Sequence, residues 1–207
     1  MKPKTTDSID ELGPEFLLTA YAHGYFPMAD SGTGEINWYS PDPRTIIELD
    51  GLRISRSLRQ VMKQGTFEVR INTEFSSVIR LCAQRQETWI SKRIIEAYKR
   101  LHSLGFAHSI EAWCSRELAG GLYGVALNGA FFGESMFHTQ RDASKVALVG
   151  LVDHLRSHGF VLLDTQFMTP HLRSLGATEI PREEYLNRLQ SALEKRCFFL
   201  DAGRVPD

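Results

Sequence analysis

Cysteine is scarce in this 207-residue chain: Cys82, Cys114 and Cys197 are an odd number and lie far apart. That count excludes a disulfide scaffold and points to a reducing compartment. No apolar run approaches the ~18 residues that would span a bilayer. The opening Met1–Ser8 has no apolar core of the kind a secretory signal needs. A soluble, cytoplasmic protein is expected. No Gly-x-Gly-x-x-Gly or Walker-type loop is present, which removes support for nucleotide cofactors. No Gly-x-Ser-x-Gly elbow marks a serine hydrolase, and no cysteine has an activating context. His154 and His158 sit one helical turn apart, but no Glu follows His154 and no third ligand is evident, so no metal is expected.

Charge of one sign is also missing overall, since 24 Lys and Arg meet 25 Asp and Glu for a net of −1. The balance hides a segregation. Residues 1–50 carry three basic and nine acidic residues, whereas residues 51–100 carry eleven basic and four acidic. A block that basic suits a polyanion, or docks on the acidic first fifty residues; charge alone does not choose. Arg56, Arg59 and Lys63 recur at helical spacing around the apolar Leu58, Val61 and Met62, predicting a helix with a basic and a buried stripe. A second helix over 92–104 carries Lys92, Arg93, Lys99 and Arg100 and stops at Gly105. Trp89 precedes it, either as a stacking platform for a base or as core.

With 43% hydrophobic residues the chain has ample material for a core. Gly24–Arg44, dense in Gly, Pro, Ser and Asp, reads as an ordered loop. Strands are predicted over 66–71 and 106–113, with Ser115, Arg116 and Glu117 as a turn. Residues 118–125 and 130–137 form a hairpin, because Asn128-Gly129 supplies the positive φ angles of a tight turn. Asp142 is placed to cap a helix over 143–156 that is apolar on most faces and therefore buried. Gly159 ends it, 160–167 is a hydrophobic strand, and Pro181 occupies the first turn of a last helix over 182–195. The order predicts an α+β class built on a mixed α/β sheet.

Two places in that sheet carry candidate chemistry. Glu134 lies in the apolar run Phe131–Phe137, where an unpaired carboxylate is costly. It is either ion-paired with an arginine or aimed at a cationic amine, with Gly133 thinning the strand for a ligand's approach. In Val161–Phe167, Asp164 and Gln166 are two apart and share one face. They form either a polar strand end meeting water or the lining of a site.

A set of motifs then stands in one order along the chain. It runs from His23-Gly24-Tyr25-Phe26-Pro27 through Trp38-Tyr39-Ser40-Pro41-Asp42-Pro43-Arg44, Thr88-Trp89-Ile90 and Gly120-Gly121-Leu122-Tyr123-Gly124. It continues with Gly133-Glu134-Ser135-Met136-Phe137, Ala143-Ser144-Lys145, Asp164-Thr165-Gln166 and Ser174–Arg182. On these motifs, spread over residues 17–189, the chain resembles the leucyl/phenylalanyl-tRNA–protein transferase family.

The resemblance implies a small amino-terminal domain, residues 1–50, and an acetyltransferase-like (GNAT-like) catalytic domain, residues 51–207. It implies transfer of Leu or Phe from aminoacyl-tRNA to proteins beginning with Lys or Arg, which marks them for degradation. No cofactor, a monomer, and partners limited to charged tRNA and acceptor N-termini are implied as well. Asp164 and Gln166 would form the catalytic relay, Glu134 would hold the donor's α-amino group, and Trp89 would stack near the terminal adenosine. Leu122, Phe131, Met136, Leu151, Leu155 and Leu163 would line the donor side-chain pocket, with Ser144 also at the substrate. Arg56, Arg59, Lys63, Lys92, Arg93 and Lys99 are expected to hold the tRNA body through its phosphates.

The chain departs from the family pattern in three places. It lacks a Gly-rich amino-terminal segment, has Met28 where Trp often follows Phe-Pro, and has Leu151 and Leu155 in place of larger aromatics. The rival readings are transfer to acidic N-termini, altered donor choice, a cell-wall aminoacyl transferase, a CoA-dependent N-acetyltransferase and an RNA-binding regulator. The CoA reading is disfavoured because the segment Gln140–Lys145 lacks the glycines of a pyrophosphate loop and carries Asp142 at the helix start.

Overall fold

The computed structural model describes residues 10–85 and 87–200. The octet scanned above for a secretory signal lies outside them. In chain order the elements are α1 (Pro14–Ala22), β1 (Phe26–Ala29), β2 (Ile36–Tyr39), β3 (Arg44–Ile47), α2 (Arg56–Lys63), β4 (Glu68–Ile71), α3 (Phe75–Ala83) and α4 (Lys92–Ser103). There follow β5 (Ala107–Cys114), β6 (Glu117–Leu127), β7 (Ala130–His138), α5 (Ala143–Ser157), β8 (Leu162–Gln166), α6 (Pro170–Ser174), β9 (Thr178–Ile180) and α7 (Arg182–Leu193).

Seven strands form one mixed sheet in the order β4-β5-β6-β7-β8-β3-β9, and β1 pairs with β2 in a separate ribbon. Every neighbouring pair in the large sheet is antiparallel except β7 and β8, whose crossover is α5. The mixed α/β sheet expected from the sequence is thus present. The 128–129 turn sets the β6–β7 register, pairing Leu127 with Ala130; of its two residues Asn128 takes a positive φ, 51°, and Gly129 does not, contrary to the expectation of both.

Alternation along the strands sorts their side chains onto two faces. Tyr123, Phe132, Leu162 and Ile46 join Leu17, Tyr21, Ile94 and Tyr98 of α1 and α4 in one apolar cluster. Leu122, Phe131, Leu163 and Ile47 join Ala147, Leu151 and Leu155 of α5 in another. Helix α5 is buried on most of its surface because α2 covers its outer side, where Leu58 meets Val146 and Val149. At Gly124 a side chain has no room: a Cβ would drive into the Phe132 carbonyl and the Phe131 ring.

Two other expectations are corrected. Residues 24–44 are not a loop; they hold the β1–β2 ribbon and the start of β3. Each strand is only four residues long, too short for its alternation to stand out against Pro27 and the turn at Asp30, whose Oδ1 accepts from the Gly32 and Thr33 N–H groups. Asp142 occupies the N-cap position of α5 but makes no capping bond. Its φ of 69° turns the carboxylate aside to Lys145 Nζ, 2.9 Å away. Among the described residues, no helix is long and apolar enough to cross a membrane.

Candidate functional site

The centre of the site is an ion pair removed from water. Arg44 opens β3 and Asp164 lies on β8, both with no solvent exposure. Arg44 Nε and Nη2 donate to Asp164 Oδ1 and Oδ2 at 2.9 and 2.6 Å, and Nη1 donates to the Gly24 carbonyl at 3.0 Å. The Tyr185 hydroxyl of α7 donates to Oδ2 at 2.9 Å. The rings of Tyr185 and Phe26 lie against the guanidinium, 4.4 and 4.9 Å from their centroids. Burying two charges is tolerated only with bidentate geometry and satisfied remaining groups, and both conditions hold here. Burial alone would depress the Arg44 pKa, but the charge and hydrogen bonds of Asp164 outweigh it and keep the guanidinium charged.

Asp164 fixes the residue two positions on. The Gln166 backbone N–H donates to Asp164 Oδ1 at 2.9 Å. That bond, with the Thr45 pairing across to β3, holds Gln166 at φ 58°, a left-handed conformation that a non-glycine residue rarely adopts. The Gln166 side chain then donates from Nε2 to Glu134 Oε1 at 3.4 Å. Its amide oxygen accepts no hydrogen bond among the described residues.

Glu134 sits where the β6–β7 register shifts beside Tyr123 and Gly124. Its partners are not arginines but phenols. Tyr21 of α1 donates to Oε1 at 2.7 Å, and the Tyr98 hydroxyl of α4 lies within reach of both Oε2, at 3.2 Å, and the Tyr21 oxygen, with one proton to give between them. Burial pushes the Glu134 carboxyl up to about 7; the tyrosine bonds oppose that rise, and the nearby Asp164 charge adds to it. Burial also lifts the Tyr21 and Tyr98 phenols well above their ordinary range, so both remain donors at neutral pH. A carboxyl poised between forms, with no cation in contact with it among the described residues, suits a ligand ammonium group.

The β7–β8 ladder explains how the site opens. It holds only Ala130↔Leu162, Phe131↔Leu163 and Phe132↔Asp164. Beyond Phe132, β7 continues to His138 without a further β8 partner, while β8 stays paired with β3 on its other edge, so the β7–β8 pairing ends where Glu134 and Gln166 stand. Gly133 lies at this fork, and a Cβ there would sit 3.4 Å from the Asp164 carbonyl.

The apolar residues expected around the donor side chain do come together. Leu122, Phe131, Leu151, Leu155 and Leu163 are buried in the α5-side cluster, and Met136 packs against it. They lie on the opposite sheet face from Tyr21 and Tyr98. Trp89 is half-buried against the other cluster, its carbonyl accepting from the Ala29 N–H at 3.1 Å. Ser144 is buried at the start of α5, 3.5 Å from His138 Nδ1. His154 Nε2 donates to the Phe199 carbonyl at 2.7 Å, and His158 stacks on His154.

The six expected tRNA contacts divide between two faces. Arg56, Arg59 and Lys63 are on α2, over α5, and have no ion pair among the described residues. Lys92, Arg93 and Lys99 are on α4, across the sheet. There Arg93 pairs with Glu11, Lys99 with Glu96, and the neighbouring Arg100 with Asp10. For α4 the docking of the basic block on the acidic amino-terminal segment is what the structure contains.

Sequence reasoning missed Arg44, Tyr21, Tyr98 and Tyr185 as parts of the site. Arg44 closes a quoted motif, and a buried arginine demands an anion, but the anion lies 120 residues away along the chain. Tyr98 falls on the buried stripe of the helix that was read for its charges.

Comparison with known proteins places these residues in context. The profile described as "Leucyl/phenylalanyl-tRNA protein transferase" matches residues 46–190, and the one described as its N-terminal domain matches residues 10–42. A protein of Chlorobaculum parvum named leucyl/phenylalanyl-tRNA–protein transferase is 56% identical over 190 residues, covering 90% of this chain and 98% of its own. One of the same name from Rubrobacter xylanophilus is 55% identical over 183 residues, covering 88% and 95%. Among solved structures, L-PGS from Bacillus licheniformis aligns with 12% identity and a TM-score of 0.42, over 78% of this chain and 55% of that one.

Proposed function

The chain belongs to the leucyl/phenylalanyl-tRNA–protein transferase family, and from that premise we propose how its own residues transfer an aminoacyl group. It is an aminoacyltransferase. We assign it Leu or Phe from charged tRNA as donor and a protein N-terminus beginning with Lys or Arg as acceptor. It works as a monomer in the cytoplasm, where those substrates meet. The observation that carries this reading is the single hydrogen-bonded cluster joining Glu134, Gln166, Asp164 and Arg44 at the β7–β8 fork.

In this reading the donor's α-ammonium lies on Glu134, and its side chain passes through the fork toward Leu122, Phe131 and Leu163. The Gln166 amide oxygen accepts a hydrogen bond from the incoming α-amine. That amine attacks the ester carbonyl; the carbon–nitrogen bond forms, the ribose oxygen leaves, and the amine's extra proton departs with that oxygen. An α-amine has a pKa of about 7.7–8.0, so a useful fraction is already neutral near pH 7 and no strong base is required. Placement is the main demand, and effective molarity contributes on the order of 7 kcal/mol or more to such a step.

Asp164 is a positioning residue here, because both its oxygens are engaged and it does not reach solvent. Its role is to hold Gln166 in its left-handed conformation through the bond to the Gln166 N–H, its own charge being balanced by Arg44. The tRNA body is assigned to α2, whose cations are not engaged by carboxylates among the described residues.

Labelled Leu-tRNA mixed with peptides beginning Arg, Lys, Asp or Glu tests the reading. Transfer to Arg and Lys peptides supports it. Transfer to acidic termini overturns the acceptor assignment, and tRNA binding without any transfer overturns the enzyme mechanism.

A further inference from the structure

One surface beside the fork is used by nothing described so far. The rings of Phe26, Tyr39 and Phe167 form a cluster with centroids 5.6–6.5 Å apart. Phe26 is buried beneath, but Tyr39 is 38% exposed and Phe167 is 43% exposed. Phe167 directly follows Gln166, so this shelf begins where the hydrogen-bonded cluster ends. Its lower ring already carries a cation, since the Arg44 guanidinium lies 4.9 Å from the Phe26 centroid.

The charge around the shelf selects its occupant. Residues 24–50 contain Asp30, Glu35, Asp42, Glu48 and Asp50, with Arg44 as the sole basic residue, and Arg44 is neutralised by Asp164. Glu48 and Asp50 are paired with Arg188 and Arg156. Arg182 reaches the Ser40 carbonyl at 3.1 Å, and its backbone N–H donates to the exposed Asp42. Asp30 and Glu35 close the far end of the ribbon from the Phe26–Tyr39 pair, so the acidic group next to the shelf along the chain is Asp42, which has no ion pair among the described residues and favours a cationic side chain over a phosphate. Aromatic faces hold ammonium and guanidinium groups through their quadrupole without a carboxylate at contact distance.

We propose that Tyr39 and Phe167 form the subsite for the cationic side chain of the acceptor's first residue, held over the exposed rings while its α-amine meets Gln166. This rests on the assignment of Gln166 to the acceptor amine. It makes acceptor choice a property of the β1–β2 ribbon and the residue after β8, separate from the donor site at Glu134.

The test uses the full chain, Leu-tRNA, and matched peptides beginning with Arg or with citrulline, its neutral isostere. The variants Tyr39→Leu, Phe167→Leu and the pair keep apolar bulk at exposed positions. The pair is expected to raise KM for the Arg peptide about tenfold, to erase the preference for Arg over citrulline, and to leave the KM for Leu-tRNA in place. An increased KM for Leu-tRNA with the Arg preference intact overturns the proposal, since the rings then stack on the donor's base. An unaltered KM for both substrates overturns it equally. Absence of transfer by the unsubstituted chain overturns the assignment of function itself, and the shelf with it.

Discussion

Replacing Glu134 with Gln separates the cost of its carboxyl from its use. The group's pKa rises from an ordinary 4.5 in the unfolded chain to about 7 in the fold. The folded protein therefore binds the proton more tightly, so stability is fully present below pH 4.5 and is lost as pH climbs through 7. That gap corresponds to about 3 kcal/mol at alkaline pH. Gln imitates the protonated form: it keeps an oxygen for Tyr21 and cannot ionise. Glu134→Gln should be near neutral at pH 4.5 and should stabilise the protein progressively up to pH 8, by at most about 3 kcal/mol. Urea unfolding of both proteins across that range measures the difference directly. Using the difference matters, because His108 works in the opposite sense. Burial pushes its pKa down to about 3, so its contribution is lost as pH falls below the imidazole's ordinary 6.5. The same variant should bind the donor more weakly at pH 7–8, where the lost carboxylate would face the ammonium. A stability difference that stays flat from pH 4.5 to 8 refutes the claim that Glu134 is held ionisable at a cost.

Three other expectations follow from the geometry. Arg44→Met leaves Asp164 buried without its cation and should cost about 3–5 kcal/mol in denaturant unfolding; adding Asp164→Leu should recover much of that stability while transfer stays lost. Gly124→Ala should destabilise by about 3 kcal/mol, the upper end of the usual cost of overpacking, since the Cβ meets backbone as well as a ring, and its thermal midpoint should fall below that of the unsubstituted chain. Reversing charge at Arg56 and Arg59 should weaken aminoacyl-tRNA binding at least tenfold at low salt and flatten its salt slope, roughly one unit per lost phosphate contact, whereas reversing Arg93 should act mainly through the lost Glu11 pair and change the slope little.

Much of the sheet was legible because its determinants are local. The 128–129 turn, the apolar period of α5 and the hydrophobic run of β8 each declare themselves within a dozen residues. The β1–β2 ribbon did not, since four-residue strands carry too few alternations to be told from a Gly- and Pro-rich loop. The site was legible only in halves. Glu134 stood out as a carboxylate in an apolar strand, and Asp164 and Gln166 as polar residues sharing a face. Their partners Arg44, Tyr21, Tyr98 and Tyr185 come from elements whose own patterns speak only of helix and strand.

The amino-acid sequence by itself determined the α/β class, the order of the central elements, the family to which the motifs belong and the identity of the three polar residues at the fork. Those properties follow from spacing and side-chain chemistry, which are written along the chain. The tertiary structure alone decided that Asp164 is spent on Arg44, that Glu134 faces phenols, and that the basic helices occupy opposite faces. Each of these depends on which distant strand or helix is brought alongside, and on the burial that results, which no local pattern encodes.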